Sequence, residues 1–361
     1  MGAQKSILAG EAKIDLNVDL SHKLCSSLML PPIRGDNSPF SLVVGSLFMK
    51  HPNLFGGSEK LDLSWVKGIN DSNVMIAYRK PRPDWLAQQC FHIHHSFMPE
   101  VGVHGTPLEN FSRSGGQGIN LSRLSVGVDL KEPSSTHWSS TTSVKFEHVG
   151  MSSDDGRPIT RDLDGFPVTC SGGAHDCMVV LKQESSYAKA NNQSFTRFNL
   201  QIEQGIPVLS KWLIFNRFKF SGTKGITLGP AFYLTSLTGG SIVGDMAPYQ
   251  AFAVGGVGSV RGYGEGAVGS GRSCLILNNE LTLPLYKKMV EGALFFDYGT
   301  DLGSGRLVPG NPARRQRKPG TGIGLGYGFR FTLPIGHLQL DYAINSFQQK
   351  TLYFGISNRS S

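Results

Sequence analysis

No stretch of about 18 apolar residues occurs in this chain, so a transmembrane helix is excluded. The N-terminus has no apolar segment of the secretory type, and no ordinary signal peptide is expected there. Helical amphipathic periodicity is missing as well. Charged residues are only 17% of the 361, and hydrophobic residues at 39% are modest for a packed soluble core. The five cysteines, Cys25, Cys90, Cys170, Cys177 and Cys274, are odd in number and match no zinc spacing. Cys170 and Cys177 share a loop and would pair in an oxidising compartment. Free thiols are the expectation, because disulfide frameworks belong to small secreted domains. There is no G-x-S-x-G elbow and no other nucleophilic or acid–base arrangement, so the chain reads as a non-enzyme without a cofactor.

What the chain has in excess is glycine, 45 residues, and period-two alternation. From Gly10 to Leu20, the apolar set Ala12, Ile14, Leu16, Val18 and Leu20 alternates with Lys13, Asp15, Asn17 and Asp19. One face of such a strand meets hydrocarbon or core and the other meets water. Similar stretches recur along the chain, among them Phe40–Met49, Gln89–Phe97, Lys211–Phe220, Gly225–Leu237, Ser273–Leu283, Met289–Gly299 and His337–Asn345. They add up to about sixteen strands of about 9–13 residues, near the length a tilted strand needs to cross a bilayer. Connections alternate, with long ones after odd strands and tight, Pro- or Gly-marked ones after even strands. A transmembrane barrel shows that parity and a soluble sandwich does not. Closure removes the edges of so wide a sheet, and in lipid every backbone polar group must be paired. The expected fold is an all-β, antiparallel transmembrane β-barrel. Residues 1–9 would form a short lead and residues 10–361 the membrane domain, with the lipid bilayer as its first partner.

One loop stands apart, from about Gly239 to Gly271. It carries Val260, Arg261, Gly262 and Tyr263 on a run of glycines that permit positive φ and close backbone approach. A long loop with one fixed cation is expected to fold back into the lumen. In Leu275–Leu283 the leucines share a face, which leaves Glu280 on the lumenal side; in Gly292–Gly299 the same reasoning turns Asp297 inward. An ion pair at about 4 Å has a gross attraction of about 4 kcal/mol at an effective dielectric of about 20, less after desolvation. Two unrelated lumenal carboxylates are the alternative reading.

Other motifs point elsewhere or nowhere. Gly264–Gly269 matches G-x-G-x-x-G, but a strand rather than a helix follows, so a dinucleotide site is discarded. His92 and His94 share a face with His95 opposite, and no third ligand completes a metal set; lumen-facing histidines are expected. The formal net charge is +8, yet only Arg314, Arg315, Arg317 and Lys318 cluster, without interleaved aromatics, which argues against nucleic acid. Anionic lipid headgroups or an acidic segment would suit that cluster. Met1–Ser6 fits a myristoylation pattern in the letter, though a barrel needs no lipid anchor.

Val260-Arg261-Gly262-Tyr263 resembles the signature of the outer-membrane-protein assembly superfamily, also called the bacterial surface antigen family. The resemblance implies a sixteen-stranded barrel whose loop after strand 11 folds into the lumen. It also implies that Arg261 meets an acidic residue within Phe295-Phe296-Asp297-Tyr298-Gly299. His51–Gly57, containing Asn53, Leu54, Phe55 and Gly56, is similar to the family's turn after the second strand. Members usually carry POTRA modules before the barrel; with about nine residues before the first expected strand, this chain resembles a barrel-only member, with likeness strongest to chloroplast outer envelope barrels. The resemblance implies a role in inserting or translocating proteins at the plastid outer membrane. Unfolded barrel precursors or envelope translocation components would then be partners, and the ends of the sheet would meet at a weak seam. A plain ion or small-solute pore and a soluble β-rich binding protein are the competing readings.

Overall fold

Alternation of polar and apolar residues drives most of the described residues into strands. In the computed structural model sixteen of them make one antiparallel sheet. The structure describes residues 2–5, 14–17, 25–29, 43–51, 53–68, 71–83, 85–99, 119–133, 135–162, 165–191, 193–209, 212–286, 289–304, 318–333 and 336–357. Strands β1 (Gly2–Lys5) and β2 (Ile14–Asn17) pair with each other, apart from the large sheet. The large sheet begins with β3 (Cys25–Met29), β4 (Val43–His51), β5 (Lys60–Gly68), β6 (Ser72–Lys80) and β7 (Gln88–Pro99). It continues with β8 (Asn120–Lys131), β9 (Trp138–Ser152), β10 (His175–Asn191), β11 (Ser194–Ile206), β12 (Phe215–Leu228) and β13 (Ala231–Gly244). A small hairpin of β14 (Phe252–Val254) and β15 (Gly269–Gly271) follows. The large sheet then resumes with β16 (Ser273–Tyr286), β17 (Val290–Thr300), β18 (Thr321–Leu333), β19 (Gly336–Asn345) and β20 (Lys350–Ser357). Each strand pairs with its neighbours in sequence, β13 with β16, and the order ends on β3 and β20.

Register separates two environments. One row of paired residues across the sheet reads Met49, Leu63, Ile76, Ile93, Val126, Phe146, Val179, Ile206; the adjacent row reads Lys50, Asp62, Ala77, His92, Gly127, Lys145, Val180, Gly205. The first row faces out. Outward Leu294, Leu325 and Phe354 are each more than half exposed, a belt of apolar surface that only lipid would satisfy. Trp85, Trp138 and Tyr286, exposed at the short-turn rim, sit where aromatic girdles meet headgroups. The second row faces the lumen, where a buried cluster joins Leu121, Val149 and Met178 of the wall to Val254, Val260 and Tyr263 of the inserted loop. One loop that touches strands from β10 to β20 requires the sheet to curl around it.

Connections obey the expected parity. The chain leaves β7, β9, β13 and β17 at one rim for its long connections, and the opposite rim has short ones, such as those between β10 and β11 and between β12 and β13. Three expectations need correction. The first barrel strand is β3 and not Gly10–Leu20, whose residues 14–17 belong to the separate two-stranded sheet. Strands Lys211–Phe220 and Gly225–Leu237 are instead β12 and β13, and the turn lies at Gly229-Pro230. The inserted loop starts at Asp245, because Gly239–Gly244 completes β13. Arg314, Arg315, Arg317 and most of the first 24 residues lie outside the described set. Cys90, Cys170, Cys177 and Cys274 are free thiols.

Candidate functional site

The loop leaves β13 at the long-connection rim and enters the lumen through a single turn of 3-10 helix, Pro248–Gln250. Tyr249 donates its hydroxyl to Asp176 Oδ2 at 3.0 Å, and Arg217 lies 4.8 Å above the Phe252 ring. The β14–β15 pairing then closes the neck, so Gly264–Gly269 runs into an extended strand and offers no helix N-terminus to a phosphate. Between the two arms of the neck, a tight turn (Ser259 N–H to Gly256 O, 3.1 Å) delivers Val260–Tyr263 to the wall. Gly262 takes φ +96°, a conformation that side chains rarely tolerate.

At the tip the Arg261 guanidinium grips Asp297 with both ends of its fork: Nε to Oδ2 at 2.7 Å and Nη2 to Oδ1 at 3.0 Å. Its backbone N–H donates to the same carboxylate at 3.1 Å. Nη1 reaches Glu280 at 2.8 Å and Asp341 at 3.3 Å. The guanidinium Cζ lies 3.6 Å from the Phe295 ring centroid. A second arginine, Arg330, meets Glu280 at 3.0 Å and also pairs with Asp341. Two cations therefore share three carboxylates. Asp297 and Asp341 are fully buried, and Asn278 and Gln339 donate to them at 2.9 and 2.6 Å. Saturated hydrogen bonding of this kind is what lets buried charges persist.

The neighbours of Arg261 are held with equal economy. Tyr353 of β20 accepts from Gly262 N–H at 2.8 Å and donates to Tyr263 O at 3.0 Å. Tyr263 donates to Ser346 Oγ at 3.0 Å, and Asn345 donates to Gly262 O at 2.8 Å. The seat is made by glycines: Gly322, Gly324, Gly326 and Gly328 of β18 all face inward, and a Cβ on Gly324 would stand 2.0 Å from Arg261 O. One loop acid has no such partner. Glu265 Oε2 is buried without a hydrogen bond, and burial pushes the carboxyl up to about 8.

The structure thus brings Arg261, Glu280 and Asp297 together and adds Asp341, Arg330 and Tyr353, which the sequence reading did not single out. Asp341 had a usable signal, since it alternates with Leu340 and Tyr342 as Asp297 does with Phe296 and Tyr298. Asn53, Leu54, Phe55 and Gly56 are not part of this site. They form the β4–β5 turn at the opposite rim, where Asn53 Oδ1 accepts from Ser58 N–H at 2.8 Å, Gly56 has φ +87° and Phe55 is exposed. His92 and His94 face the lumen; His92 stands 3.2 Å from Asp129 and His94 bonds Asn73 at 2.7 Å. Among the described residues no three His, Cys, Asp or Glu side chains form a metal set.

Comparison with known proteins places this geometry. The Omp85 superfamily domain matches residues 53–359. The chain is 71% identical over 361 residues to Outer envelope protein 39, chloroplastic, of Arabidopsis thaliana, covering 100% of this chain and 99% of that one. Against Outer envelope protein 80, chloroplastic, of the same plant it is 41% identical, covering 90% of this chain and 44% of the relative. The crystal structure of BamA from Haemophilus ducreyi lacking POTRA domains 1-3 superposes with a TM-score of 0.63 at 15% identity, over 88% of this chain and 65% of that one, a likeness of fold. With its sixteen-stranded sheet and its arginine loop docked inside, the chain belongs to the Omp85 superfamily, and it is an outer envelope β-barrel protein of the chloroplast rather than an enzyme.

Proposed function

We propose that this barrel contributes to the insertion or translocation of proteins at the plastid outer membrane. The observation that carries the reading is the Arg261 network. It ties one lumenal loop to β16, β17, β19 and β20, ending beside the terminal strand of the sheet. A solute pore needs no such rivet, whereas a barrel that works on polypeptides at its sheet ends gains from a rigid C-terminal wall. In this reading β3 and β20 meet at the weak seam, and the sheet from β3 to β20 acts as one membrane domain. Unfolded barrel precursors or envelope translocation components are the partners.

The test is planar-bilayer recording of the refolded chain, with and without a urea-denatured β-barrel precursor. The expected result is stepwise block by the precursor in the wild type and weaker block in Arg261→Ala. Conductance indifferent to the precursor supports a plain ion or small-solute pore instead. That second reading draws on one observation: among the described residues the loop bonds β10, β12, β16, β17, β19 and β20, and these contacts lie away from the charged inner face of β4–β9.

A further inference from the structure

The inner wall from β4 to β12 is unevenly charged. Four of its basic side chains are neutralised locally, in the pairs Arg79–Asp62, Lys145–Glu147, Lys182–Glu184 and Arg217–Glu203. Six more face the lumen by register and have no carboxylate within ion-pair distance among the described residues: Lys50, Lys60, Arg123, Lys131, Arg197 and Lys219. Among the described residues the carboxylates of this wall are already engaged and fewer than its cations: Glu147 lies in the field of Arg123 and Arg217 as well as of Lys145, and Glu184 in that of Lys219 as well as of Lys182. Asp129 is engaged by His92, and Asp176 accepts from Cys170 and Ser171 N–H and from Tyr249. Moreover, Arg123 Nε and Arg217 Nε are shut off from solvent and meet no acceptor. Buried guanidinium donors without an acceptor are bonding capacity that an anion satisfies. The opposite wall, β16–β20, is the reverse: its carboxylates outnumber its arginines, but the docked loop covers them.

We propose that the lumen is an anion path, with the β4–β12 wall attracting small anions and Arg123 and Lys219 setting the preference. A low-dielectric wall focuses the field of unpaired charges into the water beside it, so a surplus of one sign raises the local concentration of counter-ions. The inference rests on the lumen conducting, which both readings above share.

Reversal potentials of the full-length refolded chain across a potassium chloride gradient test it. Chloride is expected to be favoured over potassium by at least about threefold. Arg123→Gln with Lys219→Gln should bring that ratio at least halfway to unity, and Glu147→Gln should raise it. Arg123→Lys, which keeps the charge, should preserve it. So should Lys224→Gln, since Lys224 lies on the outward face of β12. Conductance with no preference, or with preference for potassium, overturns this inference and leaves the conducting barrel standing. Absence of conductance from chain shown by heat-modifiable migration to be folded overturns both.

Discussion

At the scale of single residues, Arg261 matters because its partners are buried before it arrives. Asp297 and Asp341 have no exposure, so removing the cation leaves carboxylates in a place that water does not reach. Breaking one side of such a pair costs about 3–5 kcal/mol, more than the intact pair contributes over an apolar substitute. Arg261→Ala and Asp297→Asn should each lower barrel stability by amounts in that range. The double variant should cost little more than either alone, because the two changes remove one interaction. Urea titration in lipid vesicles measures this; additive losses would show that the two residues are not coupled. Arg261→Lys should not rescue, since an ammonium cannot bond Asp297 at both oxygens while reaching Glu280. The pairing of Arg261 with Glu280 and Asp297 could be read from sequence because alternation assigns each acid a face. Arg330 and Tyr353 could not. Nothing local in β18 or β20 says that their inward positions end beside the loop tip; that follows only from how the sheet curls.

Among the elements, β18 shows most directly how sequence makes room for function. Its inward positions 322, 324, 326 and 328 are all glycine, whereas its outward positions are Ile323, Leu325, Tyr327 and Phe329. Four successive inner positions without side chains leave a trough beside Arg330, and the loop lies in it at Gly322 and Gly324. Gly324→Ala would drive a methyl group against Arg261 O, and overpacking of this kind costs about 1–3 kcal/mol. The loop, not the strand, is the part free to yield. Trypsin should therefore cut after Arg261 in folded Gly324→Ala and not in the wild type. Gly222→Ala is the matched control: its Cβ meets only Phe198 Cδ2 at 3.8 Å, so the loop should stay protected. Cleavage in both variants, or in neither, would disprove the seating role of Gly324. The same reasoning explains a misplaced turn. Ser221–Gly225 has the composition of a turn, yet Gly225 sits in β12 because Phe195 and Phe232 occupy the space of its side chain. Glycine in this chain more often marks close packing than reversal of direction.

Over the whole molecule, strand number and loop parity were legible because alternation is local and repeats in every strand. The first strand was not, since an alternating stretch does not say which sheet it joins. What the sequence could not convey is that the two halves of the barrel differ. The loop bonds β10, β12, β16, β17, β19 and β20 from inside, through backbone, aromatic and charged groups. None of these loop bonds reaches β4 to β7, and β3 and β20 end the order. A sheet stapled on one side should open first on the other. In detergent micelles the amides of β16–β19 should therefore exchange at least about tenfold more slowly than those of β4–β7, a gap of about 1.4 kcal/mol in opening free energy. Arg261→Ala should narrow that gap by quickening β16–β19 and leave β4–β7 as they were. Equal protection in both halves of the wild type would mean that closure of the sheet, and not the loop, sets the stability of the wall. The β3–β20 junction would then have no reason to be weaker on its β3 side, and the insertion reading would lose its mechanical basis.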